Sequence, residues 1–233
     1  MAWQIACDFD GTIATCDVTD SILDRFALPE WQAIERDWKE GRIGSRECMA
    51  RQVDLVRVVP AELDAHLDTI EIDPGFPAFA AACRLRGVPL TVVSDGIDYA
   101  IRRVLARSGL DDLPVVANHL EFLPGGRCRL TSPHARNTCQ AASGTCKCAT
   151  LEGMAPAAAR PLSLLIGDGA SDFCGAGSAD LVFAKDKLLA HARRQGLPHV
   201  AFRDFAEATG LLHALLDAPE QRAATWTAEP VHA

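Results

Sequence analysis

No apolar stretch in the chain approaches the roughly 18 residues of a membrane span, and no run of basic residues is present that could track a polyanion. These absences argue against a membrane protein and against nucleic acid as a partner. Acidic residues outnumber basic ones, 31 to 23, for a formal charge of −8. Asp8 and Asp10 interrupt the N-terminal region where a secretory signal would need continuous apolar residues, so no signal is expected there. The cysteines number nine, an odd count without a secretory context, which argues against a disulfide framework. The expectation is a soluble cytoplasmic protein, monomeric or homodimeric, with mostly reduced thiols.

What is present is enough to build a core. With 233 residues at 48% hydrophobic composition, the chain can bury one full core and a small second one. One main domain with an insertion is expected.

The most informative stretch is Ile5-Ala6-Cys7-Asp8-Phe9-Asp10-Gly11-Thr12. A short apolar run suited to a buried strand ends at Asp8, and Gly11 permits a sharp exit. Residues i and i+2 of an extended segment point the same way, so Asp8 and Asp10 present two anions together. Such a pair repels unless a cation lies between the two or one of them holds a proton. Taken alone, the tripeptide also fits a solvated turn or a cap.

Between about residues 15 and 73 the pattern turns helical. Ile22, Leu23 and Phe26 share one face, Pro29 opens a segment carrying Trp31, Ile34 and Trp38, and further helices start near Ser45 and Pro60. The segment reads as a helical cap, with Trp31 and Trp38 as core packing. Asp73-Pro74-Gly75 marks the return. Strand-like runs then recur at 88–94, 113–117, 162–166, 180–183 and 199–202, with a hairpin formed by 119–122 and 127–130. Residues 218–233 lose periodicity and read as a mobile tail.

Ser94-Asp95-Gly96 ends the 88–94 run, where a hydroxyl and free N–H groups can receive an anion, although Ser94 also fits an ordinary helix cap. Gly167-Asp168-Gly169-Ala170-Ser171-Asp172 ends another run and adds a second acidic pair, giving enough oxygen donors for a hard cation. Lys147 by itself reads as a surface residue. Around it, Cys128, Cys139, Cys146 and Cys148 leave three possibilities open: a metal, a redox-sensitive pair, or plain thiols.

Taken in order, these motifs resemble the haloacid dehalogenase-like phosphatases, whose likeness here runs from Ile5 to about Leu216. The resemblance implies an α/β fold, a Rossmann-like parallel sheet with helices on both faces, formed by 1–14 and 74–217, with a helical cap at 15–73. It implies that Asp8 is the nucleophile, Asp10 the acid/base, and Ser94, Asp95, Gly96 and Lys147 the phosphate-binding group. Mg²⁺ would be held by Asp8, the Asp10 carbonyl and Asp168, with Asp172 in support. The reaction implied is hydrolysis of a small phosphorylated metabolite through an aspartyl phosphate. Carbon–halogen or carbon–phosphorus cleavage and a non-catalytic thiol-rich metal-binding module are the alternatives. Asp10 speaks against dehalogenation, because a leaving halide needs no proton.

The cap's placement resembles the subgroup that holds phosphoserine phosphatases and the 2-hydroxy-3-keto-5-methylthiopentenyl-1-phosphate phosphatases of methionine salvage. Where the former carry a Glu and a cap Arg for the substrate carboxylate, this chain offers Asp17 and Gln52, with Arg51 alongside. Pro29-Glu30-Trp31, Ser132-Pro133-His134 and the Cys-Lys pair resemble the latter, which is the leading expectation.

Overall fold

In the computed structural model, which describes residues 2–139, 141–154 and 161–217, the short apolar runs become strands of one sheet. The strands are β1 (Trp3–Cys7), β2 (Leu90–Ile97), β3 (Val115–Leu123), β4 (Arg127–Thr131), β5 (Leu162–Gly167), β6 (Leu181–Ala184) and β7 (His199–Ala201). Among the described residues they lie in the order β4-β3-β2-β1-β5-β6-β7, parallel throughout except for β4 at one edge. The expected tail at 218–233 lies outside the described residues.

Period-two alternation gives each face of the sheet its own core. Ile5, Cys7, Val92, Leu164 and Ile166 join one cluster, and Ala6, Val93, Leu165 and Val182 join the other. Helices α5 (Phe76–Leu85), α6 (Asp98–Arg107) and α10 (Phe205–Asp217) cover the first face. The second is covered by α7 (Lys147–Gly153), α8 (Phe173–Ala176) and α9 (Asp186–Gln195). Four more helices stand between β1 and α5: α1 (Val18–Phe26), α2 (Trp31–Lys39), α3 (Ser45–Val53) and α4 (Pro60–Leu67). The chain leaves for them and returns side by side, with Ala14 bridged to Ile72 and the Asp73 N–H donating to the Ile13 carbonyl at 2.8 Å.

Two expectations need correction. The strand at 113–117 and the first arm of the hairpin are one continuous strand, β3, which pairs with β2 along its first half and β4 along its second. An interior strand can serve two neighbours because each uses a different edge of its backbone. Strand β2 also does not stop at Ser94. It runs to Ile97 with a bulge, since Val93 faces Val116 and Ile97 faces Asn118, leaving two extra residues on β2. The bulge re-aims Ser94, Asp95 and Gly96 at the carboxyl ends of the strands.

Because β1 lies between β2 and β5, the chain reverses its direction of growth across the sheet at β1. Crevices at such a switch point, beyond the carboxyl ends of the strands, receive ligands in open α/β sheets. On the first face, α5 and α10 meet through an aromatic cluster: Phe205 meets Phe76 at 4.8 Å, Phe79 at 5.2 Å and Phe202 at 5.9 Å between ring centroids. Phe205→Ala should lower unfolding stability by about 3–5 kcal/mol through the cavity it leaves. Urea denaturation followed by far-UV circular dichroism checks this.

Candidate active site

The site starts at the exit of β1. The Asp8 N–H donates to the Ile166 carbonyl at 2.9 Å, fixing β1 level with the end of β5. The next turn closes on the Phe9 carbonyl, which accepts from the N–H groups of Ile13 and Ala14, both at 2.9 Å. Gly11 makes that turn with φ +71°, and a Cβ there would lie 2.8 Å from Asp168 Oδ2. Only glycine accommodates both the left-handed backbone and this approach.

Asp8, Asp168 and Asp172 converge so that one oxygen of each lies within 4.8 Å of the others. Lys147, 0% exposed, donates to Asp8 Oδ1 at 2.7 Å and Asp172 Oδ1 at 2.5 Å, and reaches Ser171 Oγ at 3.3 Å. Asp172 Oδ2 accepts from the N–H groups of Asp168 and Gly169 at 3.2 and 3.1 Å, so both of its oxygens hold neighbours in place. Thr12 Oγ1 donates to Asp168 Oδ1 at 2.7 Å. Asp10 Oδ1 accepts from the Val18 N–H at 2.8 Å, and Ser94 Oγ reaches Asp10 Oδ2 at 3.4 Å.

The electrostatics follow from this crowding. Burial, then the Asp172 charge, pushes the Asp8 carboxyl well above its usual range, and Lys147 only partly offsets them. Burial also raises Asp10, to about 7, helped by Asp17 and opposed by the Val18 and Thr19 N–H groups. Burial works against the charge on Lys147, but Asp172 and Asp8 outweigh it and hold the ammonium above its ordinary pKa. One cation among three carboxylates, two of them buried, leaves excess negative charge, and an all-oxygen donor set suits a hard divalent cation.

A cavity of about 700 Å³ opens above these groups and is also lined by Asp17, Asp20, Glu35, Trp38, Met49 and Gln52. The structure thus gathers Asp8, Asp10, Asp17, Gln52, Ser94, Asp95, Gly96 and Asp168 around one space, with Lys147 and Asp172 buried beneath. Arg51 stays apart. One helical step from Gln52 turns it about 100° away, and its guanidinium pairs with Glu47 at 3.4 Å on an exposed face. The Asp95 carboxylate is fully engaged by protein donors, so any contact it makes with a phosphate falls to its N–H.

Reading both tryptophans as core packing holds only for Trp31. Trp31 packs on the core, whereas Trp38, 37% exposed, lines the cavity because the end of α2 overhangs it. Sequence reasoning passed over Thr12, Ser171, Asp20 and Glu35. The first two lie inside the acidic motifs and could have been read as their hydroxyl partners. Nothing in the spacing distinguishes Asp20 and Glu35 from solvated helix residues.

The loop cysteines are free thiols. The Cys148 sulfur lies 3.3 Å from that of Cys146 and 3.6 Å from that of Cys174. Among the described residues no three sulfurs converge on one point as a metal would need. Cys128 is buried in the core with β4.

Comparison with known proteins agrees with this geometry. Residues 5–176 match the family described as haloacid dehalogenase-like hydrolase. The chain belongs to this family. Within it, a Brevibacillus brevis protein named 2-hydroxy-3-keto-5-methylthiopentenyl-1-phosphate phosphatase is 33% identical over 212 residues, covering 88% of this chain and 93% of that protein. A Geobacillus kaustophilus protein of the same name is 34% identical over 217 residues, covering 90% and 94%. In fold, the chain is similar to a phosphoserine phosphatase solved as a phospho-aspartyl intermediate analogue, with a TM-score of 0.66 at 22% identity, covering 93% of this chain and 98% of that one.

The buried charge cluster has a testable cost. Lys147→Met leaves Asp8 and Asp172 without their cation, and the expected loss at pH 7.5 without divalent ions is about 3–5 kcal/mol. Burial already raises the Asp8 pKa and Lys147 opposes this, so in the variant Asp8 favours the protonated form in the folded state still more, and the deficit should shrink as pH falls toward 5. Thermal melts of parent and variant across that range read both the loss and its sign.

Proposed function

We propose that this chain is a magnesium-dependent phosphomonoesterase that works through an aspartyl phosphate on Asp8. The observation that carries the reading is Asp8 held by Lys147 at 2.7 Å, beside Asp10 and in reach of Asp168, at the base of a cavity. Lys147 occupies Asp8 Oδ1 and leaves Oδ2 to attack phosphorus. A bond forms from Asp8 Oδ2 to phosphorus as the phosphorus–alkoxy bond breaks, and Asp10 delivers its proton to the departing oxygen. Asp10 then takes a proton from water as that water attacks the phosphorus, which frees Asp8 and inorganic phosphate. A group that gives up and regains a proton in one cycle works best with a pKa near the working pH, and burial brings Asp10 to about 7.

Asp8, the Asp10 carbonyl and Asp168 would hold Mg²⁺, with Asp172 orienting Asp168 and Lys147. When bound, the ion neutralises charge gathering on the phosphoryl oxygens. Ser94 and the N–H groups of Asp95 and Gly96, on the bulge of β2, would orient those oxygens. Residues 15–73 would act as a cap that shuts out water and selects the leaving group.

The cap wall supports a leaving group without a carboxylate. Asp17, Asp20 and Glu35 face the cavity, Lys39 pairs with Glu35 at 3.1 Å, and Gln52 donates to Glu35 at 2.9 Å. Phosphoserine would bring its carboxylate against those anions without a guanidinium to receive it. Hydroxyl donors would find acceptors there, and Met49 and Trp38 offer apolar surface for a thioether. We therefore propose 2-hydroxy-3-keto-5-methylthiopentenyl-1-phosphate as the substrate, hydrolysed in the cytoplasm by a monomer or homodimer.

Phosphate release from that ester, phosphoserine and 4-nitrophenyl phosphate tests the reading. Turnover should require Mg²⁺, vanish with excess chelator, and favour the methylthiopentenyl ester over phosphoserine by at least about 100-fold, because the phosphoserine carboxylate would meet the anions of the cap wall with no guanidinium to receive it. Asp8→Asn should reduce kcat by at least about 10³-fold while circular dichroism remains unchanged. Comparable activity in that variant would refute the nucleophile assignment.

A further inference from the structure

One buried carboxylate beside the cavity has no part in the chemistry above. Asp95, 8% exposed, follows Ser94 on the bulge of β2. Its Oδ1 accepts from the N–H groups of Gly144 and Thr145 at 2.8 and 2.9 Å and from Asn118 Nδ2 at 3.2 Å. Its Oδ2 accepts from Ser45 Oγ at 2.6 Å, and Asn118 Nδ2 also donates to its carbonyl at 2.5 Å. The donors come from β3, from the first residue of α3 in the cap, and from the loop that enters Lys147 two residues after Thr145.

An anion beside a phosphate site works against binding unless its charge is used elsewhere. Here it is spent on oriented donors, and hydrogen bonds to an ionised acceptor are the stronger kind. Gly144 makes the arrangement possible, since a Cβ there would fall on Asn118 Oδ1 and on Ser132 Oγ. A second bond joins the same two segments: the Arg46 N–H donates to the Ala142 carbonyl at 3.0 Å.

We propose that Asp95 is a positioning residue that joins the seating of the cap to the placement of Lys147. Through Oδ1 it fixes the loop that delivers the ammonium to Asp8, and through Oδ2 it draws α3, with Met49 and Gln52, over the cavity. Cap and lysine are thereby held by one group, and neither can shift without disturbing the other. The assignment rests on the phosphatase reading of the cavity.

Amide hydrogen exchange tests it without turnover. Asp95→Ala should speed exchange at Gly144, Thr145 and the first turn of α3 by at least about tenfold, whereas Ser45→Ala should do so only at α3. Gly144→Ala leaves the carboxylate in place but moves the loop off it. It should reproduce the loop half of the effect, and it takes over the test if Asp95→Ala does not fold. Unchanged exchange at both segments in a folded Asp95→Ala protein would overturn the proposal.

With 4-nitrophenyl phosphate and Mg²⁺, Asp95→Ala should lower kcat by about 30-fold or more through the misplaced lysine. Asp95→Asn keeps an oxygen for the two amides and should recover to within about fivefold. A residue serving stability alone would lower the melting temperature and leave kcat of the folded protein at the parental value, which also overturns the proposal. Absence of phosphate release by the parental protein would count against the phosphatase reading, and the exchange pattern would still decide the role of Asp95.

Discussion

A lysine with no exposed surface survives only in the company of opposite charge, and the burial of Lys147 between Asp8 and Asp172 is the constraint on which the site depends. Burial drives the Asp8 carboxyl toward its neutral form, and the ammonium opposes this. With the ammonium between Asp8 and Asp172, both are held at fixed distance, and Asp172 in turn anchors the N–H groups that begin the Asp168 turn. The arrangement is worth little as stabilisation, since buried ion pairs roughly offset their own desolvation. Its value lies in precision: one oxygen of Asp8 is fixed by the ammonium while the residue still lines the cavity.

Charge also organises the upper half of the cavity, with the opposite outcome. Asp17, Asp20 and Glu35 gather along the helical wall, with Lys39 paired to Glu35 at 3.1 Å, so the repulsion left among them is relieved by water, by protons or by hydrogen-bond donors. Partial burial, then the Asp17 and Glu35 charges, pushes the Asp20 carboxyl up to about 6. One space therefore has a lysine bound between carboxylates beneath it and further carboxylates along its wall.

The fold was legible because its signals were local. Apolar runs such as Leu162–Ile166 and the acidic exits at Asp8 and Asp168 declare buried strands and their carboxyl ends without knowledge of neighbours. Ser94 and Lys147 became readable only through the order of motifs, since a serine at a strand end and a lysine at a helix start are ordinary in isolation. The bulge in β2 was invisible because it depends on register with β3, a property of two strands together. Trp38, Arg51 and the Asp95 carboxylate were misjudged for a related reason: which way a side chain points from a short helix or bulge is decided by what that element packs against.

The central place of β1 bears on how the protein comes to exist. Trp3–Cys7 is made before both of its partners, and its two edges are closed by Leu90–Val92 and Leu162–Ile166, the latter more than 150 residues downstream. Until that distant segment leaves the ribosome, one edge of the first strand stays open, and the closure entropy of a very long loop must be met before the pairing forms. Until then the first strand carries a row of unpaired backbone N–H and C=O groups along one edge, which leaves it open to mispairing.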